Sequence, residues 1–488
     1  MSRIARSLGA GMMVASLAAC SVGPDYHRPP AILATKYKEA EGWKPAEPKE
    51  AGSAEAWWSI YNDPVLDGLE RQVEISNQTV KSAEAAYRTA QAIVGEGRAG
   101  FFPTLDLSGS ATRSGRGAGA SSNGVASGRA SVQNSFSAQA QANWVLDVWG
   151  SVRRTVESDV ANAQASAAAL AAARLASQST LASDYFELRV ADEIKRLLDS
   201  TVEAFTRSLQ IVRNRYNVGT AARTDIASAQ AQLENARAQS IAIGVQRAQF
   251  EHAIAVLIGK APGDFAVEPA TLDYHMAIIP AGLPSELLER NPTIAQAERS
   301  MAAANARIGV AIAGYFPTVT LGANYGQSSS LLNKLFTAGS SLWSFGLADL
   351  TLPIFNGGLT AAQVDAARAT YDQTVAEYRQ AVLAAFQQVE DQLAASRILE
   401  AQAEVQAGAV SAAQEAERLT LNQYRAGTVD YTAVITAQAN SLSTQQTALN
   451  ILQSRLVASV NLVEALGGGW NSGLLPTRDQ VEDRSARR

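Results

Sequence analysis

The sequence predicts an α+β membrane protein built from a duplicated half, in which long coiled-coil helices alternate with pairs of two-faced strands. Three observations predict it: an internal repeat, a hydrophobic period that switches from helical to two-residue and back within each copy, and an export signal ending at the only cysteine.

The N-terminus comes first. Arg3 and Arg6 precede an apolar run from Leu8 to Ala19 that is too short to span a bilayer, the pattern of a secretory signal peptide. It ends in Leu17-Ala18-Ala19-Cys20, a lipobox-like sequence whose small residues admit a peptidase just before a cysteine that carries lipid through a thioether. Residues 1–19 therefore read as a removable signal, and Cys20 as the acylated, palmitate-bearing start of the mature chain. No disulfide can form within one chain, because Cys20 has no partner. Residues 20–64 read as a lipidated linker, with Pro29 to Ala56, rich in Pro, Lys and Glu, as an extended tether. The chain carries 41 Lys+Arg against 46 Asp+Glu, a formal net charge of −5 that becomes −7 once Arg3 and Arg6 leave. That mildly acidic balance, with no basic cluster among aromatics, argues against nucleic-acid binding.

The duplication has an offset of about 210 residues. Asn77, Thr79, Ala83 and Glu84 recur as Asn291, Thr293, Ala297 and Glu298. Ala99-Gly100-Phe101-Phe102-Pro103-Thr104 recurs as Ala313-Gly314-Tyr315-Phe316-Pro317-Thr318. Tyr216-x-x-Gly219-Thr220 recurs as Tyr424-x-x-Gly427-Thr428, and Gly259 and Gly467 close the copies. The repeats are placed at 65–260 and 285–469, joined by a linker at 261–284 and followed by a tail at 470–488. Within that tail, Thr477 to Arg488 reads as disordered.

Each copy is expected to begin with one helix, over Val65 to Gly97 and Ser285 to Ala313. Strands follow. Leu105, Leu107, Gly109 and Ala111 alternate with Thr104, Asp106, Ser108 and Ser110; from Ser131 to Val148, Phe136, Ala138, Ala140, Ala142, Trp144 and Leu146 alternate with Gln139, Gln141 and Asn143. In the second copy Val319, Leu321, Ala323 and Tyr325 form the apolar face. In the fourth strand that face shifts from Trp343, Phe345 and Leu347 to Leu350, Leu352 and Ile354, predicting a bulge near Ala348. The Gly/Ser-rich stretch Ser114–Ser131 and the polar link Gln327–Ser341 read as outer loops; the Gly115-x-Gly117-x-Gly119 pattern falls in the first and is no nucleotide fingerprint.

Helical periodicity then resumes. Leu198, Val202, Phe205, Leu209, Val212 and Tyr216 are spaced as a coiled-coil seam, as are Tyr371, Val375, Tyr378, Val382, Ala385 and Val389. Val152–Val218 and Thr360–Arg425 would each run roughly 100 Å. The helices Thr224–Ile258 and Thr432–Leu466 are about half as long, so two short helices stacked end to end match one long one. No stretch after the signal is apolar enough for a membrane helix, so a membrane crossing requires a closed β-barrel. Four strands are too few to close one; three copies would supply about twelve.

With these elements placed, the sequence resembles the outer-membrane efflux factors of the TolC, OprM and NodT type, most closely the lipoprotein branch. The resemblance covers nearly the whole mature chain. It is carried by Val22-Gly23-Pro24-Asp25-Tyr26, by Trp57-Trp58 with Asp63-Pro64 and Leu66, and by the duplicated Phe-Pro-Thr and Tyr-x-x-Gly-Thr elements. It implies a homotrimer with one shared twelve-stranded barrel in the outer membrane, continued by an antiparallel coiled-coil barrel through the periplasm. The implied partners are a periplasmic adaptor and an inner-membrane transporter of the RND, ABC or MFS type. Ser21, where lipoprotein sorting would place Asp for inner-membrane retention, permits transfer outward. The implied function is passive conduction of substrates across the outer membrane as the duct of a tripartite efflux system. A type I protein secretion duct, or a structural coiled-coil lipoprotein without a pore, are the alternatives.

Such a duct needs no catalysis and no cofactor beyond the lipid on Cys20. His27, His252 and His275 are isolated, with no second ligand at metal spacing, and Glu187 and Asp192 read as solvated helix faces. The residues singled out are the two turns: Tyr216, Gly219, Thr220, Thr224 and Asp225, and Tyr424, Gly427, Thr428, Asp430 and Thr436. Gly219 and Gly427 suit the left-handed cap that stops a helix before an antiparallel return. The resemblance implies that these turns form the periplasmic tip and gate, where adaptor hairpins dock and the inner helices splay, and that Thr224, Asp225 and Tyr424 tether neighbouring helices. The family's pore-facing aspartates fall here on Ala433 and Thr436, which leaves Asp225 and Asp430 to supply an anionic ring.

Overall fold

A computed structural model of the chain describes residues 21–30, 37–39, 56–116, 121–122, 125–126, 131–272 and 284–482. The expected signal peptide, Cys20, most of the linker up to residue 55, and His275 lie outside the described residues.

Helices α1 (Pro64–Ser76) and α2 (Gln78–Ala99) lead into β1 (Thr104–Arg116), which returns as β2 (Ser131–Leu146). Helices α3 (Ser151–Asn217) and α4 (Arg223–Leu257) form an antiparallel hairpin. The second copy runs α5 (Pro284–Arg290), α6 (Pro292–Ala313), β3 (Thr318–Ser329), β4 (Ser341–Thr351), α7 (Leu359–Ala426) and α8 (Tyr431–Ala465); a short α9 (Arg478–Glu482) follows. The long helices are 67 and 68 residues, as their sequence period predicts. Each packs against a pair of short ones, α2 with α4 beside α3, and α6 with α8 beside α7. No described helix is long and apolar enough to cross a membrane.

The opening helices differ from expectation. Both are broken, at Asn77 and Asn291, which sit in extended conformation. Asn77 Oδ1 accepts the Val80 N–H at 3.0 Å while Nδ2 donates 2.7 Å to the Leu257 carbonyl at the end of α4. Asn291 does the same between Thr293 and Ala465. One amide thus caps the start of one helix and the end of the helix stacked on it, satisfying orphan groups of both termini. The joints close on Gly259 and Gly467, at φ +71° and +92°, where a Cβ would lie 2.4 Å from Ser76 O and 1.9 Å from Arg290 O.

The four strands form one antiparallel sheet in the order β1-β2-β3-β4. Its register aligns Leu107, Ala140, Tyr325 and Trp343 in one row, and Asp106, Gln141, Asn324 and Ser344 in the next. Side chains alternate faces along a strand, so one face is apolar and the other polar. The apolar face is open to its surroundings: Leu107 is 85% and Trp343 76% exposed. The bulge is present where expected. Thr320 pairs with Asp349 and Gly322 with Gly346, so the single backbone position 321 spans the two positions 347 and 348 of β4, and Leu350 then pairs with Val319 on the apolar face. β1 extends to Arg116 and β3 to Ser329, each three residues into the stretch expected as a loop.

Two hydrophobic clusters organise the helices. The larger surrounds the joints, drawing Leu66, Tyr185, Leu188, Ile254, Ile294, Tyr378, Val389 and Leu456 together. The smaller lies near the hairpin turns and includes Phe205, Leu209, Val212, Leu233, Tyr424, Tyr431 and Val434. In the first seam Leu198, Phe205, Leu209 and Val212 are buried and Val202 half-buried, and the seam surfaces at Tyr216.

Three further expectations are corrected. Asp192 is not a solvated carboxylate: it is 5% exposed and accepts from Arg247 Nε at 2.7 Å and Arg189 Nη1 at 3.4 Å. Arg189 also donates to Glu268 O at 2.8 Å, so the cluster straps the inter-repeat segment onto α3 and α4. Glu187 is half-buried and accepts from Gln453 at 3.1 Å. The tail is ordered as far as Glu482, because Val481 packs against Val94, Val156 and Val160; residues 483–488 lie outside the described residues. The linker does more than tether at residues 37–39, where Tyr37 is buried and the Lys38 and Glu39 amides donate 2.7 and 2.9 Å to Glu390 on α7.

Candidate functional site

Both turns stop their long helix by the same chemistry. In the first, Gly219 at φ +77° lets the Thr220 amide reach back 2.9 Å to Arg215 O while the Gly219 amide donates to Tyr216 O. In the second, Gly427 at φ +78° does this for Thr428 and Gln423 O at 3.0 Å. The two threonine hydroxyls add a bond to the same carbonyls, at 3.1 Å each. This is the left-handed cap the spacing predicts.

The aromatic residues of the turns are not equivalent, although the repeat matches them. Tyr216 is 43% exposed, whereas Tyr424 is 3% exposed and its ring lies 5.2 Å from that of Tyr431, which starts α8. Burial raises the Tyr424 hydroxyl above its ordinary pKa and pushes Tyr431 up to about 12, with Asp225 adding to both. Asp225 and Asp430 serve first as helix starts. Asp225 accepts the Ala222 amide at 3.2 Å, and Asp430 accepts that of Ala433 at 3.0 Å. Asp225 is half-buried, and Asp430, Thr224 and Thr436 are exposed; the Thr436 hydroxyl donates to Thr432 O at 3.0 Å. Ala433 is half-buried beside it.

One tip residue escapes sequence reasoning. Arg215, half-buried in the last turn of α3, crosses to the other hairpin: its Nη1 donates to the Tyr424 carbonyl and its guanidinium covers the Tyr424 ring 4.5 Å from the centroid. Its position before a Tyr-x-x-Gly-Thr turn was visible, but its partner lies 209 residues away in the chain.

At the opposite end the helix-to-strand corners carry the duplicated Phe-Pro-Thr elements. Trp144 Nε1 donates 3.0 Å to Phe101 O, and Trp149 Nε1 donates 2.8 Å to Pro317 O while stacking on Phe316. The Val22–Tyr26 segment docks here. Arg154, almost fully buried, donates to Val22 O, Gly23 O, Asp25 and Glu157. Asn305 donates to Pro24 O at 3.0 Å, Tyr26 bonds Glu298, and Gly23 at φ +97° packs on Gly309 so closely that a Cβ would lie 2.4 Å from its Cα. Residue 21 therefore sits against Gly150, at the junction of β2 and α3. Among the described residues no three His, Cys, Asp or Glu side chains gather as a metal site requires.

A sheet with one membrane-compatible face, carried on antiparallel helices that end in capped hairpin turns, defines the protomer of an outer-membrane channel. The chain belongs to the outer membrane efflux protein family, whose model matches residues 69–260 and 283–468, one stretch per repeat. It is 32% identical over 461 residues to the toluene efflux pump outer membrane protein TtgC of Pseudomonas putida, covering 93% of each chain. It is 29% identical over 459 residues to the probable outer membrane lipoprotein SilC of Salmonella typhimurium, covering 93% of this chain and 96% of that one. Among solved structures, the outer-membrane channel OprN superposes with a TM-score of 0.85 at 26% identity, over 92% of this chain and all of its own. The protein is an efflux channel of the outer membrane, and its helical part extends into the periplasm.

Proposed function

We propose that three copies of this chain assemble into one duct, with a shared twelve-stranded barrel above and a helical coiled-coil barrel below, and that it passively conducts small apolar molecules across the outer membrane. The observation that carries the reading is the sheet: four strands whose edges at β1 and β4 pair with no other strand among the described residues, one apolar face and one polar face. An open sheet of this kind is not viable in lipid, and closure by symmetry removes the edges. The likeness to toluene and antibiotic efflux components supports small-molecule cargo over protein.

In this reading the duct works with a periplasmic adaptor and an inner-membrane transporter that supplies the energy. The turns at Tyr216, Gly219, Thr220, Thr224 and Asp225 and at Tyr424, Gly427, Thr428, Asp430 and Thr436 form the periplasmic tip and gate. Exposed Tyr216 and Val218 offer an adaptor an apolar foothold there. Asp225 and Asp430 provide the anionic ring. Cys20 carries the lipid, and the clamp holds residues 22–26 at the helix-to-strand corner just after it in sequence. Deleting the gene should sensitise cells to toluene-like solvents and lipophilic antibiotics while protein export continues; unchanged sensitivity with lost secretion of a protein would reverse the cargo assignment. Cys20→Ser behind a different cleavable signal should still give trimers, assembled less efficiently.

A further inference from the structure

We propose that the outer rim of the barrel is a binding surface for lipid-borne phosphate, on which Arg113 and Lys334 of each chain hold phosphorylated lipids of the outer leaflet. The inference rests on the reading of the sheet as one third of a membrane barrel.

Charge is sorted along the sheet by height. Asp106 is the third residue of β1 and Asp349 pairs with Thr320, the third of β3, so both stand next to the helices. From Leu107 to Leu146 and from Leu321 to Ala348, which hold the upper strands and both outer connections, the sequence has Arg113, Arg116, Arg129 and Lys334 and not one Asp or Glu. A chain with a net charge of −5 thus ends outward in four cations, twelve in a trimer. Such a one-signed ring repels itself, and an anionic partner held at the same level offsets the repulsion.

The register fixes that level. On β2 the apolar side chains run from Leu146 through Trp144, Ala142, Ala140 and Ala138 to Phe136, ten residues apart, or about 34 Å of strand. At the tilt of about 40° usual in such barrels this is about 26 Å of height, the thickness of an apolar outer-membrane band. The next row on the same face is Asn134 opposite Arg113. On β3 and β4 the band closes with Tyr325 and Trp343, exposed amphipathic aromatics of the kind that sit at headgroup depth. Arg113 is therefore an exposed cation on the lipid side of the sheet at the depth of the headgroups, with no ion-pair or hydrogen-bond partner among the described residues.

The link between β3 and β4 supplies the second contact. A tight turn at Leu332–Lys334 leaves Lys334 exposed among Leu331, Leu332 and Phe336, all three exposed as well, while Leu335 is buried. Ser340 Oγ lies 2.8 Å from Gln327 Oε1, and Gln327 shares the face of Tyr325, so the link is drawn to the lipid side. Large apolar side chains around a cation are what an interfacial segment presents: they enter the acyl boundary while the ammonium meets phosphate.

The test uses full-length trimers, checked by heat-sensitive migration and by conductance in planar bilayers. In neutral detergent they are titrated with fluorescent lipid A, a diphosphorylated glycolipid, and with its dephosphorylated form, and binding is followed by anisotropy. The phosphorylated form should bind about tenfold more tightly or better. Arg113→Gln and Lys334→Gln should each weaken that binding about fivefold, and together about twenty-five-fold, the worth of surface cations against an anionic lipid. Arg113→Lys should keep it, and Lys81→Gln, which removes an exposed cation from α2, should leave it unchanged. Displacement of the lipid by millimolar inorganic phosphate would show a free-anion site and overturn the proposal. So would variants that shift the reversal potential of the pore while lipid binding stays as in the wild type, since the cations would then serve the mouth. Equal binding of the two lipid forms by trimers that conduct refutes the rim and leaves the barrel reading standing. If no conducting trimers form at all, both fall.

Discussion

Glu70 is a carboxyl group with nowhere to put a charge. It lies on the core face of α1 between Leu66 and Val73, is 0% exposed, and neither oxygen has a hydrogen-bond partner among the described residues. Burial, with Glu74 and Asp67 adding repulsion, pushes its pKa from 4.5 up to about 9. The sign of the linkage follows. Below pH 4.5 both folded and unfolded states keep the proton, and nothing is lost. Above it the unfolded chain ionises while the folded one stays neutral, so stability falls by about 1.4 kcal/mol per pH unit until about pH 9. The loss is about 3 kcal/mol per chain at pH 7 and about 6 kcal/mol at pH 9. Glu70→Met, of similar length and without the charge, should therefore match the wild type near pH 4.5 and exceed it increasingly toward pH 9. Denaturant melts of detergent-solubilised trimers at pH 5, 7 and 9 measure that gap, and difference infrared spectra of wild type minus variant should show a protonated carboxyl at pH 7. Parallel stability curves for the two proteins across this range would refute the argument.

Other expectations are equally direct. Gly467→Ala should cost several kcal/mol, since its Cβ would meet Arg290 O at 1.9 Å in a left-handed backbone, whereas Gly68→Ala, with nothing within 4 Å, should stabilise α1 by about 1 kcal/mol; thermal melts of the two distinguish them. Asp225→Asn with Asp430→Asn should reduce cation selectivity in bilayers, and unchanged reversal potentials would exclude these residues as an anionic ring. Arg154→Ala should release residues 22–26 and expose them to protease, because the Val22 and Gly23 carbonyls lose their donor; limited proteolysis of the two proteins checks it.

How much of this was legible without coordinates depends on the range over which each feature acts. The strands, the coiled-coil seams and the helix-stopping glycines are local, written in two-residue and seven-residue periods and in single positions where only glycine fits. Even the bulge was visible, because an inserted residue reverses the parity of every apolar position after it, from Phe345 to Leu350. The candidate turns are legible for the same reason, and their duplication marks them twice.

What tertiary structure alone decided is where distant polar groups meet. Asn77 and Asn291 break helices that periodicity makes continuous, because each has a carbonyl to bind at the end of a helix more than 170 residues onward. Asp192 looks like a surface charge until Arg247 and Arg189 close over it, and Tyr216 and Tyr424 look like copies until Arg215 covers only one. A hydrophobic period records which face of a helix is buried and carries no information about what buries it. The export signal, the repeat and the two-faced strands therefore determined the class of protein, while the joints, the clamp on Val22–Tyr26 and the contact of Arg215 with Tyr424 follow from partners that only the folded chain brings together.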